Sequence, residues 1–440
     1  MHYCNVLDTY SIKKPNPKQT LCFQSQAFFL DAFLHNNRVE HFTQLIGLHP
    51  EYLDLFLKTQ HFIMRGDGPL PYAYRHYIAI MAAARHHCTY LIDLQKQEFL
   101  LQGGNASWLL SLENIPQKLK NLLEVNKILA HRPWLLNKSH IERLVKAKGK
   151  DNWSVSELAH AIVILAHFHS LCSFIYGAGI MPEVDQEKGH TFTSPRELHH
   201  PLNGATPTVG STDRGEVEEL VEKMQKIEKQ HRQQQEPSME ELVSTFKKVE
   251  SQCAELPAGQ CRARPTLRAE LHRFLEDPEF AYQDFAKRKE PTEIPTFRIQ
   301  DYSWDDHGFS LANRLYNDVG TLLDQKFKTA YDLTYYTMGV KSNVDTSMFR
   351  RAIWNYIQCL YGIRHDDYDY KEVNDLIERS LKNHIKTVCC YPDRTTKKDY
   401  ESVMRDFRHS EKIHVNLMLL EARMQAELLY ALRAMMHYMT

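Results

Sequence analysis

Residues 75–101, RHYIAIMAAARHHCTYLIDLQKQEFLL, constrain this chain most. They include neither Gly nor Pro, are rich in Ala, and run into Gly103-Gly104, where a helix C-cap belongs. Apolar side chains recur at Tyr77, Met81, Ala84, Cys88, Leu91, Ile92 and Phe99, a spacing dominated by threes and fours that sets them on one helical face. One long helix is the expectation. Cys88 falls mid-face, with Arg85, His86 and His87 within a turn before it. A thiol reacts as its thiolate and nearby cations favour that form, so RHHC suits a reactive cysteine. A small core hydrophobe accounts for the same residue.

The remaining elements also read as helices. Residues 24–65 place Phe28, Phe29, Ala32, Phe33, Phe42, Leu45, Ile46, Tyr52, Leu55 and Phe56 at helical spacing, and no segment sustains the two-residue alternation of a strand. Pro71 sits where a helix tolerates proline, at its first turn. Ile115-Pro116 opens a helix over Gln117–His131 and Arg132-Pro133 closes it; Ser154 and Glu157 form a capping box before an apolar segment that ends in GAGI. Residues 181–215, rich in Pro, Gly, Thr, Ser and His, read as a linker. Residues 216–235 then align Val217, Leu220, Val221, Met224 and Ile227, a solvated amphipathic helix or one that docks on a partner. Little order is expected over 236–270, and helices follow at 309–336, 344–362, 370–388, 397–408 and 411–438. The fold class is all-α.

Composition narrows the function classes. The 54 basic and 55 acidic residues leave a net charge of −1, so no global field draws the chain to nucleic acid or to an anionic membrane. No run of 18 apolar residues suggests membrane insertion, and the first residues read as neither signal nor transit peptide. Nine scattered cysteines form no CxxC and no zinc spacing, so no metal and no cofactor is expected, and a reducing compartment is: the cytoplasm, with the nucleus also open.

Several segments together resemble the sestrins: DGPLPYAYRHYIAIMAAARHHCTYL at 67–91, VNKILAHRPWL at 125–135, SVSELAHAIVILAHFHSLCSFIYGAGI at 154–180, then PTFRIQDYSWDDHG, DTSMFRRAIWNYI, GIRHDDYDY and SEKIHVNLMLLEARMQAELLYALRAM. The resemblance implies two AhpD-like (carboxymuconolactone-decarboxylase-like) helical domains related by pseudo-symmetry. Their boundaries here would be a flexible 1–22, an N-terminal redox domain at 23–180, a linker at 181–272 and a C-terminal domain at 273–440.

Three sites follow from that resemblance. The family's proposed hydroperoxide-reductase site maps to Cys88, Tyr90 and position 95, where this chain has Gln95 in place of a relay histidine. Gln95 can hold a hydrogen bond but cannot exchange a proton near neutral pH. In leucine-sensing sestrins the residues matching Arg350 and Glu411 grip the carboxylate and ammonium of leucine, and those matching Thr334, Tyr335 and Thr346 form a lid. Two wall positions depart: Phe349 stands for Leu and Met404 for Trp. Both remain apolar, but a methylene more or less in such a slot is worth about 1–3 kcal/mol. The pair matching Asp366 and Asp367 binds the GATOR complex, through which the family restrains TOR complex 1; acids beside exposed aromatics suit a basic partner. The function expected is an intracellular stress and leucine sensor that binds GATOR and releases it on ligand binding, with hydroperoxide reduction through Cys88 as the alternative.

Overall fold

The computed structural model describes residues 17–36, 38–147, 149–180, 215–233, 237–257, 271–288 and 294–440. The first sixteen residues and nearly all of the expected 181–215 linker lie outside that range. In the N-terminal half, α1 (Pro17–Asn36), α2 (His41–Ile46), α3 (Pro50–Arg65), α4 (Tyr72–Arg85), α5 (Thr89–Leu101), α6 (Gln117–His131), α7 (Lys138–Val145) and α8 (Val155–Gly177) follow one another. The C-terminal half continues with α9 (Glu216–Gln233), α10 (Met239–Glu255), α11 (Phe309–Leu315), α12 (Val319–Asp332), α13 (Ser347–Leu360), α14 (Lys371–Leu376), α15 (Arg379–Cys390), α16 (Lys397–Ser402) and α17 (His409–Met439). Among the described residues, extended structure is confined to two-residue strands. Strand β1 (Phe297–Arg298) pairs in parallel with β4 (Ile363–Arg364), and β2 (Thr337–Met338) pairs antiparallel with β3 (Lys341–Ser342). The chain is all-α in character.

Two long helices, α8 and α17, make the axis of the molecule and pack on each other. The Ser154–Glu157 capping box starts α8 as the sequence implies, each side chain accepting the other's backbone N–H. Among the described residues α8 alone is long and apolar enough to cross a membrane, yet its apolar window is wholly buried inside the protein. Helices apolar on all sides are core helices when other elements surround them, and here α4, α6 and α17 do so.

The single helix expected over 75–101 is in fact two. Cys88 N–H bonds to the Ala83 carbonyl at 3.1 Å and His87 N–H to that of Ala84 at 3.0 Å, while His87 takes a positive φ of 53°. This is a Schellman ending with histidine in the left-handed position that glycine usually fills. Nothing in the residue types announces it. The turn is held from outside: Tyr176 donates its hydroxyl to the His87 carbonyl (2.8 Å), and His87 Nδ1 lies 3.1 Å from Asp393. Cys88 is therefore the residue that starts α5, not a mid-helix position. A second left-handed residue, Asp318 (φ 64°), splits the helix expected over 309–336 into α11 and α12.

The stretch expected to be poorly ordered at 236–270 contains α10, started by a Ser238–Glu241 capping box and burying Phe246, Val249 and Cys253. It packs on α13, and Arg288 ties it down through Glu250 at 2.8 Å. The apolar face of α9 is likewise covered, Val217, Leu220, Met224 and Ile227 all being buried as the helix lies against α14.

Candidate ligand pocket and cysteine centre

The five residues assigned to amino-acid recognition converge. Thr334, Tyr335, Thr346, Arg350 and Glu411 line one pocket at the N-terminus of α17, together with Phe349, Phe407, Met338, Val415 and Met418. Local structure explains the convergence. The β2–β3 hairpin folds the 333–346 segment over the start of α17, and α13 begins directly after it at Ser347.

Arg350 is buried. Its Nε–H donates to Thr346 Oγ1 at 3.1 Å and its Nη1 to the Tyr331 carbonyl, whereas Nη2 makes no hydrogen bond among the described residues. Asp332 is the nearest acid, 4.0 Å away and itself mostly exposed. The guanidinium is thus anchored on one side and available on the other, a geometry suited to a carboxylate. Glu411 is held in the first turn of α17, where a carboxylate complements the helix dipole. One oxygen accepts the backbone N–H groups of Arg408 (2.9 Å) and Gly339 (2.8 Å), the other the Thr337 hydroxyl at 2.9 Å. Thr334 and Thr346 face each other through their hydroxyls at 3.4 Å, and Tyr335 is half-exposed at the rim.

Two features of the pocket are not legible in the sequence. His49, from the N-terminal half, stacks on Tyr335 with ring centroids 5.8 Å apart, approaches its hydroxyl through Nδ1 at 3.2 Å, and holds the Ser410 carbonyl through Nε2 at 2.8 Å. The C-terminal pocket is therefore closed by the other half of the chain. Burial lowers the His49 pKa to about 4, against the pull of Ser410, and that of its neighbour His414 to about 3. The walls also differ from expectation. Phe349 lines the pocket and meets Phe407 edge-on at 5.8 Å, while Met404, expected as a wall, is fully buried outside it at a left-handed φ of 50°. The pocket encloses about 40 Å³. The spacing of Glu411, Val415 and Met418 on one face of α17 was a readable signal; His49 and Phe407 had none.

Cys88 occupies a different setting. It is buried near the Cys172 thiol on α8, whose pKa is pushed well up by burial first and then by the neighbouring Cys88. A second thiol is thus supplied by the fold where the sequence shows no CxxC. Tyr90 is buried and packs edge-on against Phe42, centroids 6.3 Å apart. Gln95 accepts a hydrogen bond from His76 Nδ1 at 2.8 Å and lines a separate cleft of about 710 Å³ beneath α1, which Cys88 and Tyr90 do not line. The sequence-assigned trio is therefore not gathered around one cavity.

Behind Cys172 lies a buried polar cluster that sequence reasoning missed. Arg423, fully buried on α17, spends all five N–H donors: on Glu427 (3.0 Å), Ser173 (2.7 Å), His86 Nε2 (2.7 Å) and the carbonyls of Cys389 (2.9 Å) and Ala130 (3.1 Å). Because a guanidinium only donates, His86 Nε2 must accept, and its proton sits on Nδ1. His169 bridges Glu427 (2.8 Å) and Asn126 (2.9 Å). Among the described residues no group of His, Cys, Asp or Glu is arranged to hold a metal ion.

The acidic loop divides. Asp366 is buried between Arg364 (2.8 Å) and Arg298 (3.2 Å), joining the ends of the two parallel strands, and only Asp367 is exposed. Tyr368 and Tyr370, expected as exposed aromatics, are buried and pack edge-on at 5.0 Å. Apolar rings in a turn are pulled inward when α10 supplies a partner, here Phe246 against Tyr370 at 4.9 Å.

The family model for PA26 p53-induced protein (sestrin) matches residues 7–439. Sestrin-1 of Xenopus laevis is 49% identical over 428 residues, covering 94% of this chain and 87% of that protein. The sestrin homolog of Drosophila melanogaster is 49% identical over 463 residues, covering 90% and 92%. Sestrin-2 of Homo sapiens is 48% identical over 419 residues, covering 93% and 86%. With nearly the full length matched at such identity, this chain belongs to the sestrin family.

Proposed function

We propose that this sestrin is a leucine-responsive regulator that binds the GATOR complex, releases it when the α17 pocket is filled, and so restrains TOR complex 1 when amino acids are scarce. The observation that carries the reading is the pairing, within one pocket, of a buried guanidinium with a free Nη2 and a carboxylate, set across an apolar wall. A free amino acid presents a carboxylate, an ammonium and a side chain, and each has a counterpart here. The pocket is narrower than leucine, so binding requires the hairpin segment carrying Thr334, Tyr335 and Thr346 to move outward from His49. Asp367 would meet the partner, with Asp366 holding the loop that presents it. The cytoplasm, with the nucleus also open, is the compartment this role needs.

The same reading takes the halves at 23–180 and 273–440 to be AhpD-like repeats joined by the linker at 181–272. The placement of α8 and α17, each closing its half and each packed on the other, supports it. Hydroperoxide reduction through Cys88, with Tyr90 beside it, is the second reading, favoured by the adjacent Cys172 thiol.

Capture of GATOR from cell extract, without and with leucine, tests the first reading. Binding lost in Asp367→Ala and reversed by leucine in the parent is expected. Equal capture by parent and Asp367→Ala, unaffected by leucine, contradicts it. Peroxide turnover that is equal in the parent and Cys88→Ser would remove the second.

A further inference from the structure

A small cavity of about 140 Å³ lies where the two halves meet, beside the α4–α5 turn and apart from the leucine pocket. Its wall comes from Arg85, His86 and His131 of the N-terminal half and from Phe280, Tyr391 and Arg394 of the C-terminal half. The polar groups here are short of acceptors. His131 is buried yet makes no hydrogen bond among the described residues, and its Nδ1 is sealed from solvent. Arg85 is buried and has no carboxylate partner among them. Its two Nη groups reach only backbone carbonyls, of Glu276 (2.8 Å), Asp277 (3.2 Å) and Phe280 (2.7 Å), and its Nε is unpaired. His86 carries its proton on Nδ1, because Arg423 holds Nε2, and that N–H meets no acceptor among the described residues.

The lining of the cavity holds both signs, Arg85 and Arg394 with Asp393 and Glu279. Arg423 stands behind His86, and Arg132 lies 4.3 Å over the ring of Phe280. The acids nearby are otherwise engaged or solvated: Asp393 meets His87 at 3.1 Å, Asp277 meets Lys127 at 3.4 Å, and Glu279 is exposed at the mouth. Burial together with neighbouring Arg85 and Arg423 drives the His131 pKa well down, so its ring is neutral and one N–H is available to donate. Arg85 Nε and His131 Nδ1 are themselves sealed, so the groups left to meet a ligand are Arg85 Nη2, His86 Nδ1–H and His131 Nε2, and buried donors short of acceptors suit an anionic partner. Among the described residues no group of His, Cys, Asp and Glu at this cavity is arranged to hold a metal ion.

We propose that this inter-half cavity binds a small oxyanion, a phosphate or a short carboxylate, received by the Arg85 guanidinium and by the N–H groups of His86 and His131. Because its wall is built from both halves, the anion would also brace one half against the other. Calorimetric titration of the full chain tests this, with inorganic phosphate and with acetate run separately against sodium chloride at equal ionic strength. One saturable site for either anion is expected, and the tighter of the two names the source. His131→Phe keeps the ring packing and gives up no hydrogen bond, so it should fold as the parent does, checked by circular dichroism, and bind about tenfold or more weakly. Arg85→Gln should weaken binding at least as much, and if that variant fails to fold, His131→Phe decides. No saturable heat beyond the chloride control, or an undiminished affinity in His131→Phe, overturns the proposal.

Discussion

Arg423 and Arg350 are both buried, and both serve α17, one from its middle and one against its start. They differ in what is left over. Arg423 has every donor matched by a protein acceptor, from four different helices and the ring of a turn histidine, so it can only hold the structure together. Arg350 spends Nε and Nη1 on its own half and leaves Nη2 facing a pocket. A saturated buried cation is a rivet; an unsaturated one beside a cavity is a receptor. The contrast separates structural from binding arginines by counting donors, without any appeal to position in the chain.

The largest effect should come from cutting the rivet. Arg423→Met leaves Glu427 buried without its cation and strips a donor from each of the other acceptors, a change of the kind that costs about 3–5 kcal/mol. The urea midpoint should fall accordingly. A loss below about 1 kcal/mol would mean that the two arginines are not so different. Next comes Glu411→Gln, which sharpens the comparison from the pocket side. It removes the charge an ammonium needs and weakens a first-turn interaction, so leucine affinity should fall by about tenfold or more while stability drops by about 1 kcal/mol.

Acid should reach the pocket through its histidines. Burial holds His49 near 4 and His414 near 3, while both titrate near 6.5 when unfolded. Between those values only the unfolded chain takes up the protons. Their stabilising contribution is complete above about pH 6.5 and is lost as pH falls toward about 4, by up to about 1.4 kcal/mol per pH unit for each. His49→Gln should flatten that slope in melting-temperature profiles from about pH 7 to about pH 5; an unchanged slope would place the acid-sensitive group elsewhere. The smallest effect is expected from Phe349→Leu. It trims the wall that meets Phe407, costing about 1 kcal/mol of packing while widening the slot, so leucine should bind more tightly in a calorimetric titration.

The helical class and the capping box at Ser154 were legible in the sequence, because periodicity and motif both survive in the residue order, whereas the pairing of Arg350 with Glu411 came only from the resemblance to the sestrins. The break between α4 and α5 was not. A Schellman turn normally announces itself by glycine, and here His87 takes the left-handed position with support from Tyr176 and Asp393, which lie far away in the chain. The same limit hid His49 at the pocket, Cys172 against Cys88, and the inward turn of Asp366 toward two arginines. Each depends on a contact between segments remote in sequence, and local pattern holds no record of such contacts. Helix α10 was hidden for a different reason: its polar residues and the Pro- and Gln-containing composition around it mask the buried set Phe246, Val249 and Cys253.

If the α17 pocket reads a free amino acid through the open side of Arg350, leucine must stabilise the parent and not a variant lacking that guanidinium. The most direct test is the melting temperature of the full chain across a leucine titration, with arginine and glutamate as controls and Arg350→Met alongside. Leucine at about 100 times its dissociation constant should add about 2.7 kcal/mol to the native state, selectively, with the shift abolished in Arg350→Met. No leucine shift in the parent, or an equal shift in Arg350→Met, would contradict that reading of the pocket.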